Sequence, residues 1–275
     1  MTMPGLRRQA LQALLLKDPA DKARAARELF ETAQTDPEAL AGASDETVHP
    51  TPDELAALPG RPERPRLVSA KEVPTRSPFT LEGRAALLHA ICHIEFNAIN
   101  LALDAVWRFE GMPGDFYRDW LQVASEEALH FTLLNEHLHS LGARYGDFDA
   151  HDGLWSMCER TAHDILARMA LVPRTLEARG LDATPPIQAK LTKAGDLVAV
   201  GILDIILRDE IGHVAIGNRW FHHLCAARGL DPVTVYPELV RRHEAPRLKP
   251  PYNIEARKQA GFSDAEMRFL LGEMG

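Results

Sequence analysis

The amino-acid sequence predicts an all-α protein, built as a four-helix bundle with N-terminal helices, a proline-rich arm and a C-terminal extension. Apolar residues recur at helical spacing through several long segments, and no useful run alternates with the period of a strand. Glycine, proline and N-cap residue types stand where those segments begin and end. The 275 residues, 45% of them apolar, are sufficient for a sizeable core.

The first region, residues 1–79, begins with two short predicted helices within residues 3–34. Asp18 is the expected N-cap of the second helix, and Pro19 suits its first position because proline lacks only an N–H that a first turn leaves unbonded.

Prolines then recur between Pro50 and Pro78, which disfavours long helices and sheet. We expect residues 36–80 to form an ordered arm that wraps the rest of the protein, with one helical turn at 52–58. Apolar residues such as Leu67 give the arm something to bury. A flexible linker is the alternative.

The second region, residues 80–229, carries the predicted bundle. Helix A spans 80–110 with Thr80 as its cap, and helix B spans 115–142 with Asp115 as its cap. Gly142 ends helix B.

Helix C is predicted over 154–179, with a kink at Pro173 and an end at Gly180. The prolines 185 and 186 predict a break before a short helical piece. Helix D then runs from 196 to 228. The third region, residues 230–275, is expected to pack on the bundle and to end in a short helix from Asp264.

Composition limits the function classes. A net charge of −8 makes a broad attraction to nucleic acid unexpected. Three widely spaced cysteines are typical of small buried side chains in a reducing compartment. The N-terminus lacks the pattern of a signal peptide, and the apolar run 197–207 is too short to span a bilayer. We therefore expect a cytoplasmic protein with no membrane partner.

A Glu-x-x-His spacing occurs twice, as Glu127–His130 in helix B and as Glu210–His213 in helix D. Positions i and i+3 share a face of a helix, so each motif directs one carboxylate and one imidazole to the same place. Two such motifs, completed by one Glu from each of two other helices, form the ligand set of ferritin-like dinuclear carboxylate bundles. Alone, each motif is most often a solvated helix face.

Glu95 and Glu177 are the expected additional ligands. Glu95 lies on the apolar face of helix A, where an unpaired carboxylate is costly. The offset from Glu95 to Glu127 is 127 − 95 = 32 residues, and that from Glu177 to Glu210 is 210 − 177 = 33 residues. Glu177 stands close to the predicted end of helix C, so Asp164 is kept as the alternative ligand.

Other polar residues are candidates for supporting roles. Glu126 and Asp209 each precede a motif and could accept the second N–H of an imidazole, which fixes its tautomer. His93, on helix A, is expected to be a core or supporting group rather than a ligand, and Asp164 has the same expected role if Glu177 binds metal.

Oxygen-rich ligands with one nitrogen per motif suit iron or manganese. The expected cofactor is therefore two Fe ions, two Mn ions or a mixed Fe/Mn pair. Four carboxylates would neutralise the charge of two divalent ions.

At these residues the chain resembles a family of uncharacterised bacterial ferritin-like proteins, catalogued as domain of unknown function 455. The resemblance rests on the sequences around His130, Glu177 and His213 and on the tail from Lys249 to Arg257. The Glu-Ala-Arg at 177–179 is also similar to the third-helix motif of the MiaE-type tRNA-modifying di-iron hydroxylases. That similarity implies that Glu177 is a ligand, and the resemblance as a whole implies the ferritin-like fold and a dinuclear site.

The leading functional hypothesis is an O₂-activating oxidase or hydroxylase that acts on a small molecule. An external electron donor is expected, because no G-x-G-x-x-G fingerprint is present. A ferroxidase or metal-handling protein is the first alternative, and a binding module with vestigial ligands is the second.

We expect a monomer or a homodimer. Nucleic acid is an unexpected partner, although a basic cluster at 241–249 leaves tRNA as an open alternative.

Overall fold

The computed structural model describes residues 4–272, and the regular secondary structure in this range is helical. Within this range no β-strand forms, and the only extended pairing is an isolated bridge between Leu67 and Ala150. The predicted all-α class is confirmed. The chain divides into two compact units, one ending at Trp155 and one beginning at Ser156. The predicted division at residues 79 and 229, and the four-helix bundle within it, stay predictions.

The first unit is built on two long consecutive helices that pack against each other. Its helices are α1 (Leu6–Leu15), α2 (Pro19–Thr35), α3 (Pro37–Ala43), α4 (Pro52–Ala56), α5 (Leu81–Arg108) and α6 (Gly114–Ser140). Helix α2 packs along α6, and α1 packs along α5. The N-terminal helices are therefore part of the core of this unit.

The ends of α2, α5 and α6 show how well local signals place a helix. Asp18 and Thr80 cap α2 and α5 as predicted, by accepting backbone N–H bonds. Gly142 follows α6 with a φ of 79°, which suits glycine. The predicted cap Asp115 is wrong: α6 begins one residue earlier, after Pro113, and Asp115 lies in its first turn.

The arm is held on the first unit mainly by polar contacts. The guanidinium of Arg61 forms two bonds with Asp152, of 2.7 and 2.8 Å. Val68 donates its N–H to the carbonyl of Ala150 at 2.8 Å. Leu67, which we expected to be buried, is 37% exposed. Ion pairs and backbone bonds therefore place the arm, with little contribution from Leu67.

The second unit is centred on one long helix. After α7 (Gly153–Arg160), which links the units in sequence, it contains α8 (Ile165–Leu171), a π-helical segment (Val172–Glu177), α9 (Ala178–Lys193), α10 (Leu197–Ala227), α11 (Pro232–Arg242), α12 (Ile254–Gln259) and α13 (Asp264–Leu270). Helices α8 and α9 and the π-helical segment all pack on α10. The predicted helix from Asp264 is confirmed, whereas α3, α11 and α12 were not predicted.

The prediction of one helix C over 154–179 is wrong. Asp164 caps a new helix, so the chain breaks after α7. Pro173 begins the π-helical segment instead of a simple kink, and Gly180 lies within a continuing helix. Prolines are tolerated where other groups satisfy the carbonyls that they leave unbonded. The carbonyl of Leu181, four residues before Pro185, accepts a bond from Asn253 Nδ2 at 3.2 Å.

Helix α5 is long and apolar enough to cross a membrane, but 72% of its apolar window is buried inside the protein. A helix buried to this extent belongs to the packed core of its unit. Cys92, Cys158 and Cys225 are buried and free, as predicted.

Candidate metal centre

Three predicted ligands of the first unit converge on one point, which we call the first half-site. Nδ1 of His130 lies 3.2 Å from Oε2 of Glu95 and 3.4 Å from Oε2 of Glu127. One ligand atom from each residue lies within 4.8 Å of the other two. Glu127 and His130 are one turn apart on α6 and face Glu95 on α5, which is the geometry that the i, i+3 spacing predicts.

The first half-site is buried and favours a cation. Glu95 is 3% exposed, and Glu127 and His130 are 0% exposed. Burial raises the pKa of Glu95 to about 8; the Glu127 carboxyl acts in the same direction, and the hydrogen bond with His130 opposes it. A divalent cation among these oxygen and nitrogen atoms would stabilise the charged form of the carboxylates. The donor set fits iron or manganese better than a structural zinc ion, which prefers thiolates.

The second unit repeats this motif on α10. Glu210 and His213 are 7% and 0% exposed, and Oε1 of Glu210 lies 4.0 Å from Nδ1 of His213. Both residues occupy the middle of a 31-residue helix. The motif is therefore not a solvated helix face, which is the usual setting of an isolated Glu-x-x-His.

Glu177 ends the π-helical segment and is 8% exposed. Residues 177 and 180 are one turn apart, and a Cβ atom on Gly180 would lie 3.9 Å from Cδ of Glu210. This face of the chain is thus turned towards Glu210. We call Glu210 and His213, together with Glu177 as their predicted partner, the second half-site. The expectation that Glu177 stands at a helix end is wrong, because α9 continues to Lys193.

A close approach holds the π-helical segment on α10. A Cβ atom on Gly217 would lie 2.6 Å from Cβ of Pro173, which is shorter than real contacts. Glycine at 217 therefore lets Pro173 pack directly on α10. Single π-helical turns often occur at functional sites, since the extra residue redirects the side chains that follow. Glu177 is such a side chain.

Residues 15–268 of the chain match the family described as protein of unknown function (DUF455). A protein of Haemophilus influenzae, named uncharacterized protein, is 56% identical over 227 residues, which cover 79% of this chain and 77% of that protein. No solved structure matches the chain. The chain belongs to the DUF455 family. All six predicted ligands of this DUF455 protein lie inside the matched span, and the family description names no activity.

The residues predicted for supporting roles have identifiable partners in this DUF455 protein. Glu126 accepts a bond from Gln122 at 3.0 Å. Asp209 pairs with Arg208, with bonds of 2.8 and 3.1 Å. Whether Glu126 or Asp209 also orients an imidazole stays a prediction.

Asp164, the alternative ligand, caps α8 by accepting the N–H of Leu166 at 3.0 Å. Its carboxylate also lies 3.4 Å from Nη1 of Arg228. These contacts give Asp164 a role in ending one helix and starting the next, and they favour Glu177 as the ligand from this part of the chain.

His93 belongs to a polar cluster on α5 of this DUF455 protein. Its Nδ1 lies 2.8 Å from the hydroxyl of Tyr145, and its Nε2 lies 2.9 Å from Nδ2 of Asn97. His89 accepts the N–H of Gly146 at 2.9 Å. Beside this cluster, a small pocket that is partly open to solvent is lined by Arg61, His93, Asn97 and Tyr145.

Sequence reasoning missed two buried arginines of the second unit. Arg174 is 3% exposed and Arg257 is 0% exposed. Sequence alone favours an exposed position for arginine, and the partners that make burial possible lie far away along the chain. The only available signal was the position of both residues inside segments that carry the family resemblance.

Proposed function

We propose that the two half-sites supply the ligands of one dinuclear iron or manganese centre, and that the protein uses this centre to oxidise or hydroxylate a small molecule. The six ligands are Glu95, Glu127, His130, Glu177, Glu210 and His213. One observation carries the proposal: a buried Glu-x-x-His recurs on two long helices, each with a further buried glutamate from a neighbouring segment. The assignment of both half-sites to one centre rests on the ligand pattern of ferritin-like bundles.

The composition of the set supports this choice of metal. Four carboxylates offset about four positive charges, and two imidazoles add nitrogen ligands without charge. When bound, such a metal pair supplies the electrons and the binding positions that O₂ activation needs. Residues of the chain hold the carboxylates in fixed positions and exclude water from them, because a dry site strengthens each charge interaction.

Two features support an enzyme over a metal-storage protein. The arm is fixed on the first unit by Arg61 and Asp152, and the tail is fixed on α9 by a buried pair between Asp182 and Arg257. A protein that only stores metal has no need for such ordered covering segments. The electron donor would be a separate protein, and the three buried free thiols support a reducing, cytoplasmic setting.

The test is an anaerobic titration with Fe(II) followed by exposure to O₂. We expect binding of two Fe(II) per chain, O₂ consumption, and a new near-ultraviolet absorption band. Gel filtration of the same sample separates the enzyme from a ferroxidase of the storage type. A monomer or dimer supports the enzyme, whereas a hollow multi-subunit assembly that accumulates iron beyond two per chain supports storage.

A matched pair of variants on α6 controls for non-specific metal binding. Glu127→Gln removes a buried charge of the first half-site, while Glu136→Gln removes an exposed charge nine residues further along the same helix. We expect the wild type and Glu136→Gln to consume O₂ and Glu127→Gln to lose this activity. Equal rates in all three proteins would contradict the proposed centre.

A further inference from the structure

One part of the arm, residues 61–76, is held on the first unit far more weakly than the chain on either side of it. We call this segment the strap. It belongs to none of the helices, and Pro65 is its one buried residue. A segment with so few buried apolar contacts opens at a small fraction of the cost of unfolding the whole domain.

Close packing fixes the chain directly before the strap. Gly60 donates its N–H to the carbonyl of Leu14 at 2.9 Å, and its own carbonyl accepts a bond from Nζ of Lys22 at 2.6 Å. Lys22 is 0% exposed. A Cβ atom on Gly60 would overlap the carbonyl oxygen of Leu15, so the backbone approaches α1 as only glycine can. This end of the strap is therefore anchored in the core of the unit.

The chain after the strap is fixed in a similar way at the start of α5. The carbonyl of Ser77 accepts a bond from the hydroxyl of Thr80 at 3.0 Å. A Cβ atom on Gly83 would overlap the carbonyl oxygen of Ser77, so the two backbones are in direct contact. The strap thus hangs between two close-packed ends.

Between these ends, the strap is held mainly by ion pairs that solvent reaches. Arg61 pairs with Asp152, and their side chains are 23% and 27% exposed. Arg66 pairs with Asp149, and the Arg66 side chain is 73% exposed. Exposed pairs contribute little to stability, and salt screens them. The strap should therefore open more readily as the ionic strength rises.

One backbone bridge also joins the strap to the rest of its unit within residues 4–272. Val68 donates its N–H to the carbonyl of Ala150, and Ala150 donates its own N–H to the carbonyl of Arg66 at 3.0 Å. The loop that carries Ala150 has a separate attachment, because the N–H of Gly146 donates to Nε2 of the buried His89 at 2.9 Å. The bridge can therefore break while this loop stays in place.

The strap covers the small pocket beside His93. The strap forms one wall of this pocket, and α5 and the loop after α6 form its floor. The wall residues are Arg61, Pro62, Pro65 and Leu67, and the floor residues are His93, Phe96, Asn97 and Tyr145. Because the covered pocket is small, a ligand reaches this floor only if the strap moves away.

We propose that the strap opens as a unit about its two fixed ends, that it uncovers the floor of this pocket, and that ionic strength controls the opening. Lids over binding sites are typically weakly held segments of this kind. Neither the strap nor the floor contains any of the six proposed metal ligands. The opening can therefore be tested whether or not the metal proposal holds.

Hydrogen exchange of the full-length protein, measured at single amides by mass spectrometry, tests the opening. The amides of Val68 and Ala150 should exchange together, and about three- to tenfold faster at about 0.5 M NaCl than at about 0.02 M. The amide of Gly60 should exchange far more slowly and without salt dependence. Exchange of Val68 as slow as that of Gly60, or independent of salt, would overturn the proposal. Exchange of Gly146 at the rate of Val68 would overturn it too, because the loop would then be the moving part.

A matched pair of variants tests the role of the exposed ion pairs. Asp149→Asn removes the pair with Arg66 at nearly constant size, and Asp45→Asn removes an exposed charge elsewhere in the same unit. At low salt, Val68 should exchange about two- to fivefold faster in Asp149→Asn, and at the wild-type rate in Asp45→Asn. A wild-type rate in Asp149→Asn would contradict control by ionic strength.

A thiol introduced by Asn97→Cys reports on the floor, because Asn97 is 2% exposed and the three native cysteines are buried. Its labelling by a maleimide should rise with salt by the same factor as the exchange of Val68, with the wild type as the background. A thiol that stays unlabelled while Val68 exchanges would show that the strap moves without uncovering the pocket, and would overturn the proposal. Circular dichroism verifies folding; if Asn97→Cys does not fold, the exchange of Val68 against Gly60 decides the result.

Discussion

Nδ1 of His130 lies 3.2 Å from Oε2 of Glu95, although the two residues come from different helices and are 35 positions apart. The imidazole thus stands between the Glu95 carboxyl and the Glu127 carboxyl of its own helix. Three side chains of the kinds that commonly ligate metal ions are fixed around one point by the packing of α5 on α6. This preorganised first half-site is the firmest part of the proposed centre.

Glu127→Gln should weaken Mn(II) binding by about 10- to 100-fold or more, because it replaces an anionic ligand by a neutral amide of the same size. Titration followed by the Mn(II) electron paramagnetic resonance signal measures the free ion directly. Glu136→Gln is the control, because that residue is exposed on the same helix. Unaltered affinity in Glu127→Gln would show that Mn(II) binds elsewhere.

Arg257→Ala should lower the free energy of unfolding by about 3–5 kcal/mol, since it leaves the buried Asp182 carboxylate without its main partner. Urea unfolding followed by circular dichroism measures this loss. Lys258→Ala removes one member of an exposed pair with Asp264 and should cost less than about 1 kcal/mol. Similar losses for both variants would argue against the buried pair as the anchor of the tail.

Gly217→Ala should destabilise the protein by about 1–3 kcal/mol, because the new methyl group meets the rigid ring of Pro173. It should also reduce metal content, since Pro173 is one turn before Glu177. The matched change Gly201→Ala, at an exposed position of α10 with open space around it, should be neutral or stabilising by about 0.5–1 kcal/mol. Thermal melts of both variants distinguish these effects, and a Gly217→Ala protein as stable as the wild type would refute the close approach.

Stability should fall as the pH is lowered from 6.5 to 5. Burial lowers the pKa of His89 to about 4 and that of His93 to about 3, so both histidines stay neutral in the folded protein. In the unfolded chain the same histidines have a pKa of about 6.5 and take up protons as the pH falls below it. Each histidine then removes up to about 1.4 kcal/mol per pH unit in this window. The contribution of the two neutral histidines to the free energy of unfolding is complete above pH 6.5.

Urea unfolding at several pH values measures that slope. His93→Gln should lower the number of protons taken up on unfolding by about one. His139→Gln, at an exposed position, should leave that number unchanged. The same slope in the wild type and in His93→Gln would contradict the neutral buried state of His93.

The long helices were predictable because their signals are local. Thr80 and Gly142 stand at the ends of α5 and α6, and the apolar spacing between them is continuous. The region of the predicted helix C was not predictable in the same way. Whether Pro185 breaks a helix depends on Asn253, which satisfies the carbonyl of Leu181 from 72 residues away. Gly180 by itself indicates the end of a helix, although α9 continues through it.

The candidate functional residues show the same difference between local signals and signals that depend on distant parts of the chain. Glu127 and His130 could be predicted because their spacing is itself the geometry of a shared helix face. The burial of Arg174 and Arg257 could not, because neither residue has a local pattern that indicates burial. Each becomes informative only when Glu266 and Asp182 are seen beside it.

Metal analysis of the protein as purified from cells grown with iron and manganese tests the central claim most directly. Inductively coupled plasma mass spectrometry should find about two Fe or Mn ions per chain. In Glu127→Gln and in Glu210→Gln the content should fall for both ions together, because each half-site is proposed to serve one shared centre. A wild-type protein with neither metal, or two variants that each lose one independent ion, would contradict the account.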